Sequence, residues 1–183
     1  KYNFLKVTEG KYKSLANYFY GYILYSQEMY NKSLLVFQTL SDDETFSKII
    51  PYYITQIYFS LEKYSDIVEY AVPLLENVID SREAEMYRIV SDSYYHLNDF
   101  KNAKKYFNKF LEINTDISVI DYFQIGQINI YLEDYHSAIK FLEKVNNVDD
   151  SISQYTSYYL GKSYLKVGQK NFAINAFHLS LIH

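Results

Sequence analysis

SDSYYHLNDFKNAKKYF, residues 91–107, holds the reading that decides the fold. Upstream of its centre, Tyr87, Val90, Ser91 and Tyr94 recur at i, i+3, i+4 and i+7, the spacing of one face of a helix. The pattern stops at HLND and restarts with Phe100, Ala103, Phe107 and Phe110. The stretch therefore predicts two amphipathic helices joined by a short turn, which forces them to run antiparallel. Its paired tyrosines, its histidine and its lysines also raise two other readings, a catalytic cluster and a nucleic-acid patch.

The rest of the chain answers that question by repetition. NYFYGYILYSQEMYNKSLLVF (17–37), YRIVSDSYYHLNDFKNAKKYF (87–107), YFQIGQINIYLEDYHSAIKFL (122–142) and SYYLGKSYLKVGQKNFAINAF (157–177) align without gaps, and PYYITQIYFSLEKYSDIVEYA (51–71) joins them. Gly21, Thr55, Ser91, Gly126 and Gly161 fall at intervals of 34, 36, 35 and 35, and Ser33, Ile67, Ala103, Ala138 and Ala173 keep the same intervals. Small residues at fixed places let two helices approach closely, while large apolar ones fill the space between units. The turns SQEM, SLEK, HLND, YLED and KVGQ offer Asn98, Asp99, Asp134 and Gly168 as caps or turn formers.

These residues resemble the tetratricopeptide repeat, whose pattern sets an aromatic, Leu-Gly and Tyr on the first helix and Ala and Phe on the second. Asn17, Tyr20, Gly21, Leu24, Ser33 and Phe37 meet it, as do Tyr87, Val90, Ser91, Tyr94, Ala103 and Phe107. Tyr122, Ile125, Gly126, Asn129, Ala138 and Leu142 form the fourth match, and Leu160, Gly161, Tyr164, Ala173 and Phe177 the fifth. In the second unit Ile67 stands for the small residue and Ala71 for the large one, a swap that conserves volume. Trp and the unit-ending Pro of the pattern are missing. The resemblance implies an all-α, right-handed superhelical solenoid of antiparallel helix pairs. It spans residues 1–183 as one domain, with units at 14–47, 48–83, 84–118, 119–153 and 154–183. Phe4 and Val7 fit the second helix of a preceding unit, so a longer parent protein is expected. IIPYYITQIYF and SYYHLNDF are similar to long repeat proteins of Bacteroidota, which implies a cell-envelope location, with the cytoplasm as the alternative.

Composition narrows the function. Lys+Arg number 18 against 22 Asp+Glu, a net charge of −4, which disfavours polyanions as partners. A pentatricopeptide-like RNA reader would carry a basic surface instead. With no Cys there is neither a disulfide nor a thiol nucleophile, and no apolar run nears the roughly 20 residues of a membrane span. Gly161-Lys-Ser lacks the glycine-rich turn of a phosphate loop, since residue 156 is Thr. His96, His136, His178 and His183 have no helical pairing that would hold a metal, and Asp42, Asp43, Glu44, Asp149 and Asp150 lack calcium-loop spacing. Lys101, Lys104, Lys105 and Lys109 share one face, read as the water-facing side of a second helix. No cofactor, metal or catalytic residue is expected. Pro51 suits a helix start, whereas Pro73 inside EYAVPLLEN removes the bond to Glu69 and predicts a bend near Ala71.

What remains is recognition of a protein or peptide. In tetratricopeptide arrays the first helices line a concave groove. The register puts Tyr18, Tyr22 and Tyr25 there, then Tyr52, Gln56 and Phe59, then Arg88, Asp92 and Tyr95, then Phe123, Gln127 and Ile130, and last Tyr158, Lys162 and Leu165. Family members that clamp a C-terminal carboxylate use Lys and Asn, where this chain has Tyr18 and Tyr22. An extended or helical segment held by aromatic contacts is the expected partner, and a spacer that self-associates through its repeat ends is the alternative.

Overall fold

The computed structural model describes residues 12–77, 80–114, 116–145 and 150–182. Every regular element among them is helical: α1 (Lys13–Ser26), α2 (Tyr30–Gln38), α3 (Ile50–Ser60), α4 (Tyr64–Ala71), α5 (Asp80–His96), α6 (Phe100–Ile113), α7 (Val119–Tyr131), α8 (Tyr135–Leu142), α9 (Asp150–Lys166) and α10 (Lys170–Ile182). A 3₁₀ segment, Val72–Asn77, follows α4. The expected partial unit at residues 1–9, with Phe4 and Val7, lies outside the described residues, as do Asp149 and His183.

The chain forms two compact units, Lys1–Leu97 and Asn98–His183. The first contains α1–α5, in which α1 packs on α2, α2 on α3, α3 on α4, and α5 on both α3 and α4. The second contains α6–α10, in which α7 packs on α8, α8 on α9, α9 on α10, α6 on α7, and α7 on α9.

Small residues on the first helix of a pair allow the second to approach. A Cβ on Gly21 would lie 2.8 Å from the Phe37 ring, one on Gly126 2.5 Å from Leu142, and one on Gly161 2.6 Å from Phe177. Such distances are shorter than carbon atoms tolerate, so each large side chain occupies the space that a Cβ would need. In the first pair Ser33 Oγ adds a hydrogen bond to the Gly21 carbonyl at 2.8 Å. The α3–α4 pair differs: Thr55, Ile67 and Ala71 are all fully buried, so bulk has moved from the second-helix position to the other two.

The turns also repeat. Glu28, Glu62, Asn98, Glu133 and Gly168 all adopt positive φ, between 55° and 81°. Glu28 N–H donates to the Tyr25 carbonyl and Met29 N–H to the Leu24 carbonyl, both at 2.9 Å, closing a Schellman-type helix end. The same crossed pair recurs as Glu62 to Phe59 and Lys63 to Tyr58, as Glu133 to Ile130 and Asp134 to Asn129, and as Gly168 to Leu165 and Gln169 to Tyr164. Asp99 and Asp134 then cap the next helices, accepting from Asn102 N–H and Ser137 N–H. Glutamate at three left-handed positions was not anticipated, because only Asn98 and Gly168 are residue types that favour this conformation.

Pro73 acts as the sequence requires. With no N–H to offer the Glu69 carbonyl, it ends α4 at Ala71, and the interruption takes the form of a change to 3₁₀ geometry over Val72–Asn77. Pro51 lies in the first turn of α3. Among the lysines, Lys101, Lys105 and Lys109 are exposed, whereas Lys104 is half-buried. Lys104 Nζ meets Asp134 Oδ2 at 2.8 Å, tying α6 to the cap of α8, and this bond leads the causes that hold the Asp134 carboxyl below its ordinary range.

Replacing Gly126 by Thr is expected to destabilise the protein by about 1–3 kcal/mol through overpacking. Adding Leu142→Ala, which copies the Thr55 and Ala71 arrangement, should recover part of that loss in urea denaturation. A double variant less stable than Gly126→Thr alone would refute the exchange of volume. Glu62→Gly should raise stability by about 0.5–1 kcal/mol, because relief of the left-handed Cβ clash exceeds the added chain entropy of glycine. An unchanged or lower urea midpoint would refute it.

Candidate binding surface on the first helices

Residues three and four apart on a helix share a face, so α1, α3 and α5 each bring a row of side chains to the first-helix surface of the first unit. The centre of that unit is Tyr53, which is 8% exposed. Its ring stacks on Phe37 at 5.1 Å and meets Tyr18, Tyr22, Tyr25 and Tyr52 edge-on at 5.3–6.0 Å. Edge-on packing places positive ring edges against negative faces, so the cluster holds its own geometry.

The expected site residues of this unit divide into two groups around that hub. Tyr52 and Gln56 converge on Glu85, whose charge also reaches the Tyr25 phenol. Tyr52 Oη donates to Glu85 Oε2 at 3.0 Å, Gln56 Nε2 donates to Glu85 Oε1 at 2.7 Å, and the Gln56 amide also reaches Tyr52 Oη at 3.3 Å. The Arg82 guanidinium lies 4.6 Å above the Tyr52 ring. This closed triangle links α3 to α5 and fixes the rotamers of its three members. Tyr22 stands beside it, exposed at 44%. A second group gathers near the turns: Phe59 lies edge-on to Tyr64 at 6.3 Å, His96 stacks on Tyr64 at 4.2 Å, and Tyr95 meets His96 edge-on. His96 Nε2 is 3.9 Å from Asp92 Oδ1. Arg88 is half-buried on α5. Tyr18 serves packing, stacked on Phe46 at 4.8 Å with its hydroxyl 3.3 Å from that of Tyr53.

In the second unit Phe123 is partly buried against Tyr159, Gln127 and Lys162 are half-buried, and Tyr158 is 48% exposed beside Tyr159 and Phe177. Leu165 is exposed. Ile130 corrects the register: it is 6% exposed and packs with Ala138 and Leu142, so its side chain belongs to the core. Gly161 and Ser163 sit inside α9, where Ser163 Oγ donates to the Tyr159 carbonyl at 2.8 Å, so Gly161-Lys-Ser is helix interior.

Arg82, Glu85 and Tyr53 escaped the sequence reading. Arg82 and Glu85 lie in the extra N-terminal turn of α5, which starts at Asp80, ahead of the repeat pattern at Tyr87. Only the acid and base in SREAEMY marked them, and nothing there set them opposite Tyr52.

Burial pushes the phenols of Tyr25, Tyr52 and Tyr53 above their ordinary range, with Glu85 adding to the effect at Tyr25 and Tyr52, and Tyr18 at Tyr53. These hydroxyls therefore stay neutral donors and acceptors well past physiological pH. Among the described residues no group of three His, Cys, Asp or Glu could hold a metal ion, and no helix is long and apolar enough to cross a membrane.

Residues 84–117 and 122–151 match the family model of the tetratricopeptide repeat. No curated protein sequence matches the chain. Among solved structures, YrrB, described as a tetratricopeptide-repeat protein with an unusual peptide-binding site, is similar with a TM-score of 0.81 at 15% identity, over 98% of this chain and 91% of that one. MamA is similar with a TM-score of 0.75 at 15% identity, over 93% and 91%. The fold class is thus an all-α helical-repeat solenoid.

The raised phenols carry a sign. A tyrosine whose folded pKa exceeds its unfolded value contributes stability that is whole below pH ~10 and lost as the pH rises through the folded value. Tyr70 and Tyr164 are each pushed to about 12, in both cases first by burial. Stability should therefore hold up to about pH 10 and fall between there and about pH 12. Tyr164→Phe should flatten that fall in pH-resolved urea denaturation, and an unaltered slope would contradict the assignment.

Proposed function

We propose that the protein is a non-enzymatic scaffold that holds a peptide or protein segment against the aromatic first-helix surface of its first unit. The observation that carries this reading is the Tyr52–Gln56–Glu85 triangle beside exposed Tyr22. The rings are packed from beneath by Tyr53, so a partner would meet a surface that loses little entropy on binding. Tyrosine suits this duty because a rigid apolar face and a hydroxyl act together. Gln56 and Glu85 would fix the direction of a bound main chain, since the carboxylate keeps lone pairs beyond the two bonds it accepts. Tyr25 and Arg82 border the same patch, while Arg88, Asp92, Tyr95 and Phe59 would extend it. In the second unit Phe123, Gln127, Tyr158 and Lys162 are the corresponding contacts. The peptide-binding site described for YrrB agrees with such use of this fold. An acidic net charge of −4 argues against RNA as the ligand. An envelope location is proposed on the repeat resemblance alone.

A second reading has its own observation. Phe172 and Leu179 on one side of α10, and Ile174 and Leu181 on the opposite side, are each more than half exposed, apolar surface suited to stacking between copies or repeats.

The test is selection of peptides from a random display library on the parent protein, with affinities then measured calorimetrically. Tyr22→Ala and Tyr52→Ala are each expected to weaken binding by about 2 kcal/mol, roughly thirtyfold. Equal binding by parent and by both variants, with folding verified by circular dichroism, would overturn the proposed surface. A concentration-dependent mass abolished by Ile174→Lys would favour the stacking reading.

A further inference from the structure

The proline that ends α4 leaves a cleft with a chemistry of its own. Tyr58 on α3, Asp66, Glu69 and Tyr70 on α4, and Pro73 and Leu74 in the 3₁₀ segment line a space of about 490 Å³. The Tyr58 and Tyr70 rings meet edge-on, with centroids 5.9 Å apart and planes at 79°, and so form two aromatic walls at right angles. Pro73 and Leu74 add apolar surface, while Asp66 and Glu69 stand exposed at the rim. Of these lining residues two are acidic and none is basic.

We propose that this cleft is a second binding site, for an organic ammonium or guanidinium group of the kind carried by a basic or methylated side chain of a partner protein. An aromatic corner presents its negative ring faces to a cation, and carboxylates at the mouth attract the charge without displacing it from the rings. The volume falls in the range of pockets that hold small ligands, ample for a trimethylammonium group or the end of an arginine. The cation that the chain itself supplies already behaves this way, since Lys63 Nζ lies 5.9 Å from the Tyr58 centroid. The field of both carboxylates reaches the same ring: burial raises the Tyr58 phenol above its ordinary range, and Asp66 and Glu69 raise it further. None of the lining residues belongs to the first-helix surface proposed above, so either site can fail without the other.

The test uses isotope-labelled protein and pairs of probes that differ in charge at nearly constant shape. Choline is set against 3,3-dimethylbutan-1-ol, and Nα-acetyl-lysine amide against Nα-acetyl-norleucine amide. The cationic member of each pair should shift the NMR signals of residues 58 and 66–74, with an affinity about tenfold or more above that of its neutral partner. The exposed double change Asp66→Asn with Glu69→Gln keeps size and should weaken cation binding at least about fivefold, whereas Lys63→Met should strengthen it by removing the internal competitor. A preference for choline over the lysine amide would point to a free quaternary amine or a methylated side chain, and the reverse to an unmodified basic one. Neutral probes that bind as well as cations, undiminished choline binding by the double variant, or shifts confined to other residues would each overturn the proposal.

Discussion

The close seating of a large second-helix side chain on a first-helix residue that has no room for a Cβ is the constraint on which the structure depends. Phe37 on Gly21, Leu142 on Gly126 and Phe177 on Gly161 each lock a hairpin at one separation. A hairpin at fixed separation admits few turns, and the chain uses one repeatedly: a left-handed residue at positions 28, 62, 98, 133 and 168, with the Schellman-type pair of hydrogen bonds at 28, 62, 133 and 168. The period near 35 residues is therefore more than a sequence statistic. It is the distance along the chain between successive solutions of the same packing problem, and an insertion within a hairpin would break both contact and turn.

The α3–α4 pair shows how far that constraint bends. Thr55 fills space that glycine leaves open elsewhere, and Ala71 yields the space that Phe37, Leu142 or Phe177 takes in other pairs. Two residues later Pro73 stops the α-helix. With no large side chain at residue 71 to seat, the pair needs less of a regular second helix beyond that point. The 3₁₀ segment and its cleft follow from this relaxation, so the unit that departs most from the repeat pattern is also the one that gains a surface feature.

The hairpins, their small residues and the break at Pro73 were legible in the sequence because each depends on residue size or on a missing N–H, properties that a residue carries wherever it sits. Three other features were not. Glutamate at 28, 62 and 133 gives no hint of a left-handed turn, since there the tertiary seating of the helices overrides local preference. Ile130 looked groove-facing because its register matches that of Tyr25 and Tyr95, yet an isoleucine with Ala138 and Leu142 within reach is drawn into the core. Arg82 and Glu85 sit one turn ahead of the repeat pattern, and only the length of α5 brings them opposite Tyr52 and Gln56. Features set by one side chain could be read, whereas those set by the meeting of two elements could not.

The abundance of tyrosine, 23 residues in all, follows from the same meeting of elements. A first helix must fill the space against its neighbours with one face and present an adjacent face outward, and the two faces overlap by a residue or more per turn. Phenylalanine would serve the packing but leave apolar edges in water, while a charged residue would suffer at the buried end. Tyrosine satisfies both demands, with a ring that packs and a hydroxyl that emerges. Tyr53 and Tyr52 stand next to each other at the two extremes, one almost wholly buried and edged by four other tyrosines, the other with its hydroxyl in the Glu85 triangle. Burial raises their phenol pKa further above the physiological range, so the tyrosines of the first-helix surface offer apolar contact and directional hydrogen bonds without charge, while Glu85 and Asp92 are matched in number by Arg82 and Arg88. Contact with it would rest on shape and hydrogen bonding more than on ionic attraction, in contrast to the acid-rimmed cleft beside Pro73.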